Sequence, residues 1–163
     1  PLPEAQVDRF MLKVTIGYPS KADELLIIRN HIHPSLNQQV NPVISLTDIE
    51  RMRSLVDQIY MDEKIENYIV SLIFATRNPS EHGINDLANF ISFGASPRGS
   101  INLAMAAKAH AFLKGRAFVI PDDVQAMASD VLKHRIGVTY EAEVANLKPE
   151  DLIQQIISRV EVP

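Results

Sequence analysis

The sequence predicts a mainly α-helical fold, preceded by one helix and one strand that belong to an α/β core. Apolar residues recur at helical spacing through most of the chain after residue 20, and the starts of these segments carry helix-capping residues. Apolar and polar residues alternate convincingly in one segment only, residues 11–16. A lone strand cannot satisfy its own backbone groups, so we expect the rest of its sheet outside these 163 residues.

The chain is expected to begin with a short helical turn over residues 2–10, followed by the strand. Gly17, Tyr18 and Pro19 interrupt the alternation, and Ser20 with Asp23 provides the cap of a helix that continues to Ile32. We therefore expect residues 1–19 to be the end of the core with a hinge, and residues 20–163 to be the helical domain.

The helical domain is expected to contain five more helices and two long loops. The loops are predicted over residues 33–44 and 79–95, where Pro, Gly, Asn and Ser are frequent. Helices are predicted after a capping box formed by Thr47 and Glu50, over residues 62–76, over the alanine-rich residues 96–113, from Pro121 to about His134, and from Pro149 through Val160.

Composition excludes several classes of protein. There is no cysteine, which rules out disulfides and cysteine-based metal sites or nucleophiles and favours the cytoplasm. A net charge of -4, with 16 Lys and Arg scattered among 20 Asp and Glu, disfavours nucleic acid as a partner. No apolar run approaches the roughly 20 residues of a membrane span.

Arg9 is the first candidate for chemistry, because it lies between a helical turn and a strand that would both position it. A guanidinium held in this way suits bidentate recognition of phosphate. The alternative is a surface arginine paired with Asp8 or Glu4.

Arg98 is the second candidate. Ser96 is a suitable N-cap and Pro97 a suitable first helical residue, which leaves Arg98 in the first turn of its helix. A cation is disfavoured at this end of the helix dipole unless an anion is bound there. The alternative is a solvated arginine at a helix start.

Six motifs in register resemble those of the MoxR family of AAA+ ATPases, and the likeness covers essentially the whole chain. They are Leu-Pro-Glu-Ala-x-x-Asp-Arg-Phe, Gly-Tyr-Pro-Ser, Ala-Thr-Arg, Gly-Ala-Ser-Pro-Arg, Gly-Arg-x-x-Val-x-Pro-Asp-Asp-Val and Val-Leu-x-His-Arg. The resemblance implies that the helical domain is an AAA+ lid and that the first 19 residues end the nucleotide-binding core.

The resemblance also implies roles for individual residues. Arg9 would be an arginine finger that acts in trans on the neighbouring subunit, and Arg98 would be the sensor-2 arginine that acts in cis. Ser96 and Pro97 would orient Arg98, while Tyr18 and Pro19 would line the base pocket.

The same resemblance implies partners and a cofactor. ATP and Mg²⁺ would be bound mainly by a preceding half of the protein, because no G-x-x-x-x-G-K-[ST] motif occurs here. The chain alone is predicted to be inactive. The complete protein would form a ring, commonly a hexamer, that remodels partner proteins in a chaperone-like manner, including proteins with von Willebrand factor A domains.

Other patterns have simpler explanations. His31 and His33 point apart at i, i+2 spacing, so no metal is assigned. Glu141 and Glu143 indicate a solvated surface. His134 and Arg135 lie near a helix C-terminus, where the helix dipole favours basic residues, so no catalytic role is needed to explain them. The rival to the ATPase hypothesis is a non-enzymatic helical adaptor that binds partner proteins.

Overall fold

The fold is mainly helical, as predicted. A computed structural model describes residues 3–32 and 40–163. Its helices are α1 (Glu4–Val7), α2 (Lys21–Ile32), α3 (Leu46–Asp57), α4 (Glu63–Arg77), α5 (Pro97–Leu113), α6 (Pro121–Leu132), α7 (Tyr140–Val144) and α8 (Pro149–Arg159). The strands are β1 (Ile91–Phe93) and β2 (Gly137–Val138), and two short 3-10 turns lie at Pro79–His82 and Asn85–Leu87.

Four of the helices surround one hydrophobic core. α4, α5, α6 and α8 each contribute an apolar face to it, and those of α4 and α8 agree with the predicted helical periodicity. The alanine-rich face of α5 lies in this core, because short side chains let the neighbouring backbones approach closely. Fully or almost fully buried members are Ile69, Leu72, Ile73, Leu103, Ala107, Val124, Ala128, Val131, Leu152 and Ile153.

The strand predicted over residues 11–16, whose sheet is expected outside these residues, forms no ladder within the described part of the chain. The structure assigns no regular secondary structure to residues 12–20. Lys13 instead donates its backbone N–H to the carbonyl oxygen of Asp130 at 2.9 Å. The described residues offer no neighbouring strand to this segment, and an alternating pattern without a partner cannot form a ladder.

Two short strands were missed. β1 and β2 pair antiparallel, with Ile91 opposite Val138 and Phe93 opposite Gly137. β1 lies inside the predicted loop over residues 79–95. Strands of three and two residues are too short to show an alternating pattern, so the pairing was not visible in the sequence.

The cap of α3 also differs from the prediction. Ser45 and Asp48 form the capping box, in place of Thr47 and Glu50. The backbone N–H of Ser45 donates to Asp48, and the backbone N–H of Asp48 donates to the Ser45 hydroxyl. The predicted caps Ser20 of α2 and Ser96 of α5 are confirmed. Asp62, where a helix was predicted to begin, is the N-cap of α4.

The chain divides into two compact units. The larger comprises residues 3–13 and 53–163 of the described chain, and the smaller comprises residues 14–52 apart from the undescribed stretch. The predicted boundary between residues 19 and 20 concerns a longer protein and stays a prediction. Among the described residues, no helix combines the length and apolarity that a membrane span requires. The loop predicted over residues 33–44 lies largely outside the described residues, as does His33.

Candidate phosphate-binding site

The turn that carries Arg9 continues directly from α1. The backbone N–H of Arg9 donates to Gln6 at 3.3 Å, and that of Phe10 donates to Val7 at 3.1 Å. Arg9 itself is exposed. Its guanidinium pairs with no other described residue of the larger unit, so the alternative of a surface pair with Asp8 or Glu4 is not what the structure forms. The turn therefore presents an exposed cation that has no ion-pair partner in the described part of the larger unit.

Arg135 holds this turn from the inside. Its side chain is completely buried and its Nε donates to Asp8 Oδ1 at 3.1 Å. The rest of the guanidinium donates to the backbone oxygens of Asp8, Phe10, Met11 and Val131. Arg135 thus donates hydrogen bonds to backbone oxygens on both sides of Arg9. Burial lowers the pKa of Arg135 while Asp8 raises it, and a guanidinium remains charged under these conditions.

His134 adds a second contact to the same turn. Its Nε2 lies 2.9 Å from the backbone oxygen of Phe10, which can only accept, so Nε2 carries the proton. Burial lowers the pKa of His134, an effect that the bond to Phe10 partly opposes. Nδ1 is buried without a described partner. The ring is therefore held neutral, because a second proton would have no acceptor.

The start of α5 meets the same carboxylate. Ser96 caps the helix, with its Oγ accepting from the backbone N–H of Arg98 at 3.2 Å. The same hydroxyl donates to Asp8, with Oγ 3.0 and 2.9 Å from the two carboxylate oxygens. Arg98 donates to Asp8 Oδ2 at 3.3 Å, although its side chain is 56% exposed. Asp8 therefore joins the turn before Arg9 to the first turn of α5.

The segment before Ser96 is fixed by residues of α4. The Thr76 hydroxyl donates to the backbone oxygen of Ile73 and accepts from the N–H of Ala95 at 3.0 Å. Arg77 Nε donates to the Ala95 oxygen at 2.6 Å. Gly94 lies so close to α4 that a Cβ atom added to it would be 2.4 Å from the backbone oxygen of Thr76. The Ala-Thr-Arg and Gly-Ala-Ser-Pro-Arg motifs are thus two sides of one contact.

These residues can bind an anion. Arg9 and Arg98 have exposed guanidiniums, which phosphate accepts well as donors, and Arg98 lies in the first turn of a 17-residue helix, whose dipole favours an anion at that end. The pair between Asp8 and Arg98 is exposed, and such pairs contribute only about 0.2–1 kcal/mol. An arriving phosphate can therefore displace Asp8 from Arg98 at small cost.

The cleft beside Asp8 is too small to hold a nucleotide by itself. It encloses about 160 Å³, whereas small-molecule sites occupy about 300–1,000 Å³. Its lining residues include Asp8, Gly94, Ser96, His134 and Arg135. These residues supply one side of a site for phosphate groups.

The remaining predicted site residues have defined positions. Pro97 is the first residue of α5, as predicted. Tyr18 and Pro19 belong to the smaller unit, where both are exposed. Their predicted role at a base pocket stays a prediction.

The sequence interpretation of His134 and Arg135 is corrected by the structure. Arg135 lies beyond the end of α6, and its contacts are to Asp8, Phe10, Met11 and Val131 rather than to solvent at a helix terminus. Periodicity carries no signal for this role. The Val-Leu-x-His-Arg motif was the one indication, since it belongs to the six that run in register.

No metal site is present in the part of the chain that the structure describes. No three His, Cys, Asp or Glu residues in that part come together in a suitable cluster. His31 Nδ1 lies 3.2 Å from the backbone oxygen of Ile27. Glu141 and Glu143 are exposed, as predicted.

Comparison with known proteins indicates the family of the chain. A family profile described as the AAA lid domain matches residues 86–156, which contain Ser96, Arg98 and Arg135. The chain is 38% identical over 164 residues to Chaperone MoxR1 of Mycobacterium tuberculosis, covering 100% of this chain and 43% of that protein. It is 31% identical over 176 residues to Protein MoxR of Methylorubrum extorquens, covering 99% of this chain and 50% of that protein.

A solved structure gives the same result. A protein of Cytophaga hutchinsonii provisionally described as an ATPase matches with a TM-score of 0.93 and 40% identity, covering 100% of this chain and 49% of that one. The chain spans about half the length of these relatives. On motifs, fold and relatives together, this chain belongs to the MoxR-type AAA+ family and carries the AAA lid domain of that family.

Proposed function

We propose that this chain contributes two arginines to ATP hydrolysis by a longer MoxR-type AAA+ ATPase. Arg9 would act in trans as an arginine finger on ATP bound by the neighbouring subunit. The observation that carries this role is the contrast between its guanidinium, which is exposed and pairs with no described residue of the larger unit, and the turn beneath it, where Arg135 and His134 bond to several backbone oxygens. A preorganised cation of this kind stabilises the charge that develops on a transferred phosphoryl group.

Arg98 would act in cis as the sensor-2 residue. Its position in the first turn of α5, with Ser96 as cap and Pro97 as first helical residue, supports this role. Through that helix, contact of Arg98 with the phosphate of its own subunit would set the angle of the lid. Tyr18 and Pro19 would line the base pocket.

The wider function is that of the complete protein. ATP and Mg²⁺ would be bound mainly by residues that precede this chain, with residues 1–19 ending the core and residues 20–163 forming the lid. The subunits would form a ring, commonly of six, in the cytoplasm. The ring would remodel partner proteins in a chaperone-like manner, and proteins with von Willebrand factor A domains are the proposed partners.

The test is a subunit-mixing experiment with the full-length protein. One parent carries Arg9→Ala, and the other carries an inactivated P-loop but keeps Arg9. Each parent alone should turn over ATP at least about 100-fold more slowly than wild type, because an arginine finger contributes ~10³–10⁵ in rate. The mixture should regain activity, since an intact finger then faces an intact nucleotide site.

Arg51→Ala is the matched control, because it removes an exposed arginine of α3 outside the Asp8 network. Its turnover should stay within about twofold of wild type, as is usual for surface substitutions. Full turnover by the Arg9→Ala parent alone would remove the finger role. In that case this chain would serve the ATPase as a protein-interaction module and would not supply the arginine finger.

A further inference from the structure

Asp8 accepts hydrogen bonds from three side chains whose environments differ sharply. Arg135 is completely buried, Ser96 is half-buried, and the Arg98 side chain is 56% exposed. Arg98 also makes the longest of the three contacts to Asp8, at 3.3 Å, compared with 3.1 Å for Arg135 Nε and 2.9 Å for Ser96 Oγ. The Asp8 carboxylate is thus bound by the buried Arg135 and by the exposed Arg98.

Buried and exposed ion pairs differ in how readily they exchange partners. Removing Asp8 from Arg135 would leave a buried guanidinium without its counter-charge, which is strongly unfavourable. Removing Arg98 from Asp8 returns an exposed guanidinium to water or to another anion, which costs little. The exchangeable partner of Asp8 is therefore Arg98.

We propose that Asp8 is a positioning residue that occupies Arg98 when no nucleotide phosphate is present, and that bound nucleotide must displace it. Asp8 is then an internal competitor for the sensor-2 arginine, held in place by Arg135 and Ser96. The inference rests on the proposed role of Arg98 in nucleotide binding. Because Asp8 also precedes Arg9 directly, exchange at Arg98 changes the charge environment of the turn that carries the finger.

The test measures the affinity of the full-length protein for Mg-AMPPNP, a non-hydrolysable ATP analogue, in a double-mutant cycle. Asp8→Asn keeps an oxygen that can accept from Arg135 and Ser96 but removes the charge that attracts Arg98. It should tighten analogue binding about twofold to fivefold, the equivalent of losing one exposed ion pair. In an Arg98→Ala background the same substitution should change affinity by less than about 1.5-fold.

Asp86→Asn is the matched control, since Asp86 forms another exposed pair with an arginine, Arg159, in the same unit. It should leave analogue affinity unchanged. Asp8→Glu keeps the charge and should bind the analogue like wild type. Thermal unfolding reports whether each variant is folded, and Asp8→Ser, whose hydroxyl also accepts, replaces Asp8→Asn if that variant does not fold.

The outcomes separate this inference from the proposed function. Unchanged affinity in Asp8→Asn with Arg98 present overturns the competitor role, and so does an equal gain with Arg98 absent. If Arg98→Ala alone leaves analogue affinity unchanged, the sensor-2 role itself fails. If Arg98→Ala weakens binding and Asp8→Asn does nothing, only the competitor role fails.

Discussion

At the scale of single residues, Asp123 is a charged residue in the first turn of α6 that the fold buries completely. The sequence suggests two carboxylates, Asp122 and Asp123, near the positive end of the α6 dipole. The structure separates them, because Asp122 is exposed whereas Asp123 is fully buried. Asp123 accepts from both terminal nitrogens of Arg116, from the backbone N–H of Ile120 and from His110.

This network determines the charge of Asp123. Burial raises the pKa of Asp123, but the hydrogen bonds from Arg116, Ile120 and His110 outweigh burial and lower that pKa to about 2. A carboxylate with a lowered pKa in the folded state adds stability above its ordinary pKa of 3.8, and loses it as the pH falls. The relevant window therefore runs from about pH 4 down to about pH 2.

Asp123→Ala should lower the free energy of unfolding by about 3 kcal/mol at pH 7, because the partners of a buried carboxylate lose their acceptor. Urea denaturation at a series of pH values measures this. The difference from wild type should shrink between about pH 4 and pH 2, where the wild-type carboxylate becomes protonated. Asp122→Ala is the neighbouring control and should cost less than about 1 kcal/mol. Equal effects of the two substitutions would contradict the burial of Asp123.

The candidate site illustrates the limit of prediction at this scale. Arg9 and Arg98 could be named from local sequence, since one lies beside a helical turn and the other follows an N-cap and a proline. Their link through Asp8 could not, because Asp8 is 88 residues from Ser96 and 127 residues from Arg135 along the chain. Contacts over such separations depend on how helices pack, and local patterns do not encode them.

At the scale of elements, helix starts were predicted more reliably than strands. α5 and α6 begin at Pro97 and Pro121, where proline suits the first helical position. β1 ends at Phe93 and β2 begins at Gly137, 44 positions further along the chain. Each is formed only because its partner is brought beside it, so neither could be recognised alone.

The contact between α4 and the segment before α5 provides a test at this scale. Gly94→Ala should destabilise the protein by about 2 kcal/mol or more, because its Cβ would lie 2.4 Å from the Thr76 backbone oxygen, which cannot move aside as a side chain could. Thermal or urea unfolding measures the effect.

Gly17→Ala is the matched control, since nothing lies within 4 Å of a Cβ built at that position. It should change the free energy of unfolding by less than about 1 kcal/mol. A Gly94→Ala protein as stable as wild type would mean that α4 and the Gly-Ala-Ser-Pro-Arg segment are not packed as closely as described.

At the scale of the whole molecule, one core stabilises the larger unit. α8, the last helix, buries Leu152, Ile153 and Ile156 in it, as its apolar face predicts. α5 and α6 pack in the same core. Ser96 is the N-cap of α5, and Arg135 follows the end of α6. Stability of the core and geometry of the candidate site are therefore linked.

Ile153→Ala should lower the free energy of unfolding by about 2–5 kcal/mol, because Ile153 is only 1% exposed and its loss leaves a cavity. The same substitution at Ile101, which is 59% exposed on α5, should cost less than about 1 kcal/mol. Urea denaturation of the two variants compares them directly. Similar losses would show that α8 does not complete the core.

The sequence by itself determined the mainly helical class, most helix starts, the apolar faces of α4 and α8, the two candidate arginines and the family. These features depend on residues close together in the chain, where capping and periodicity act. Only the tertiary structure decided that residues 12–20 form no strand, that β1 pairs with β2, and that Arg135 and Asp8 hold the turn before Arg9 against the start of α5. Those features require partners that are distant in sequence, and packing of the core brings them together.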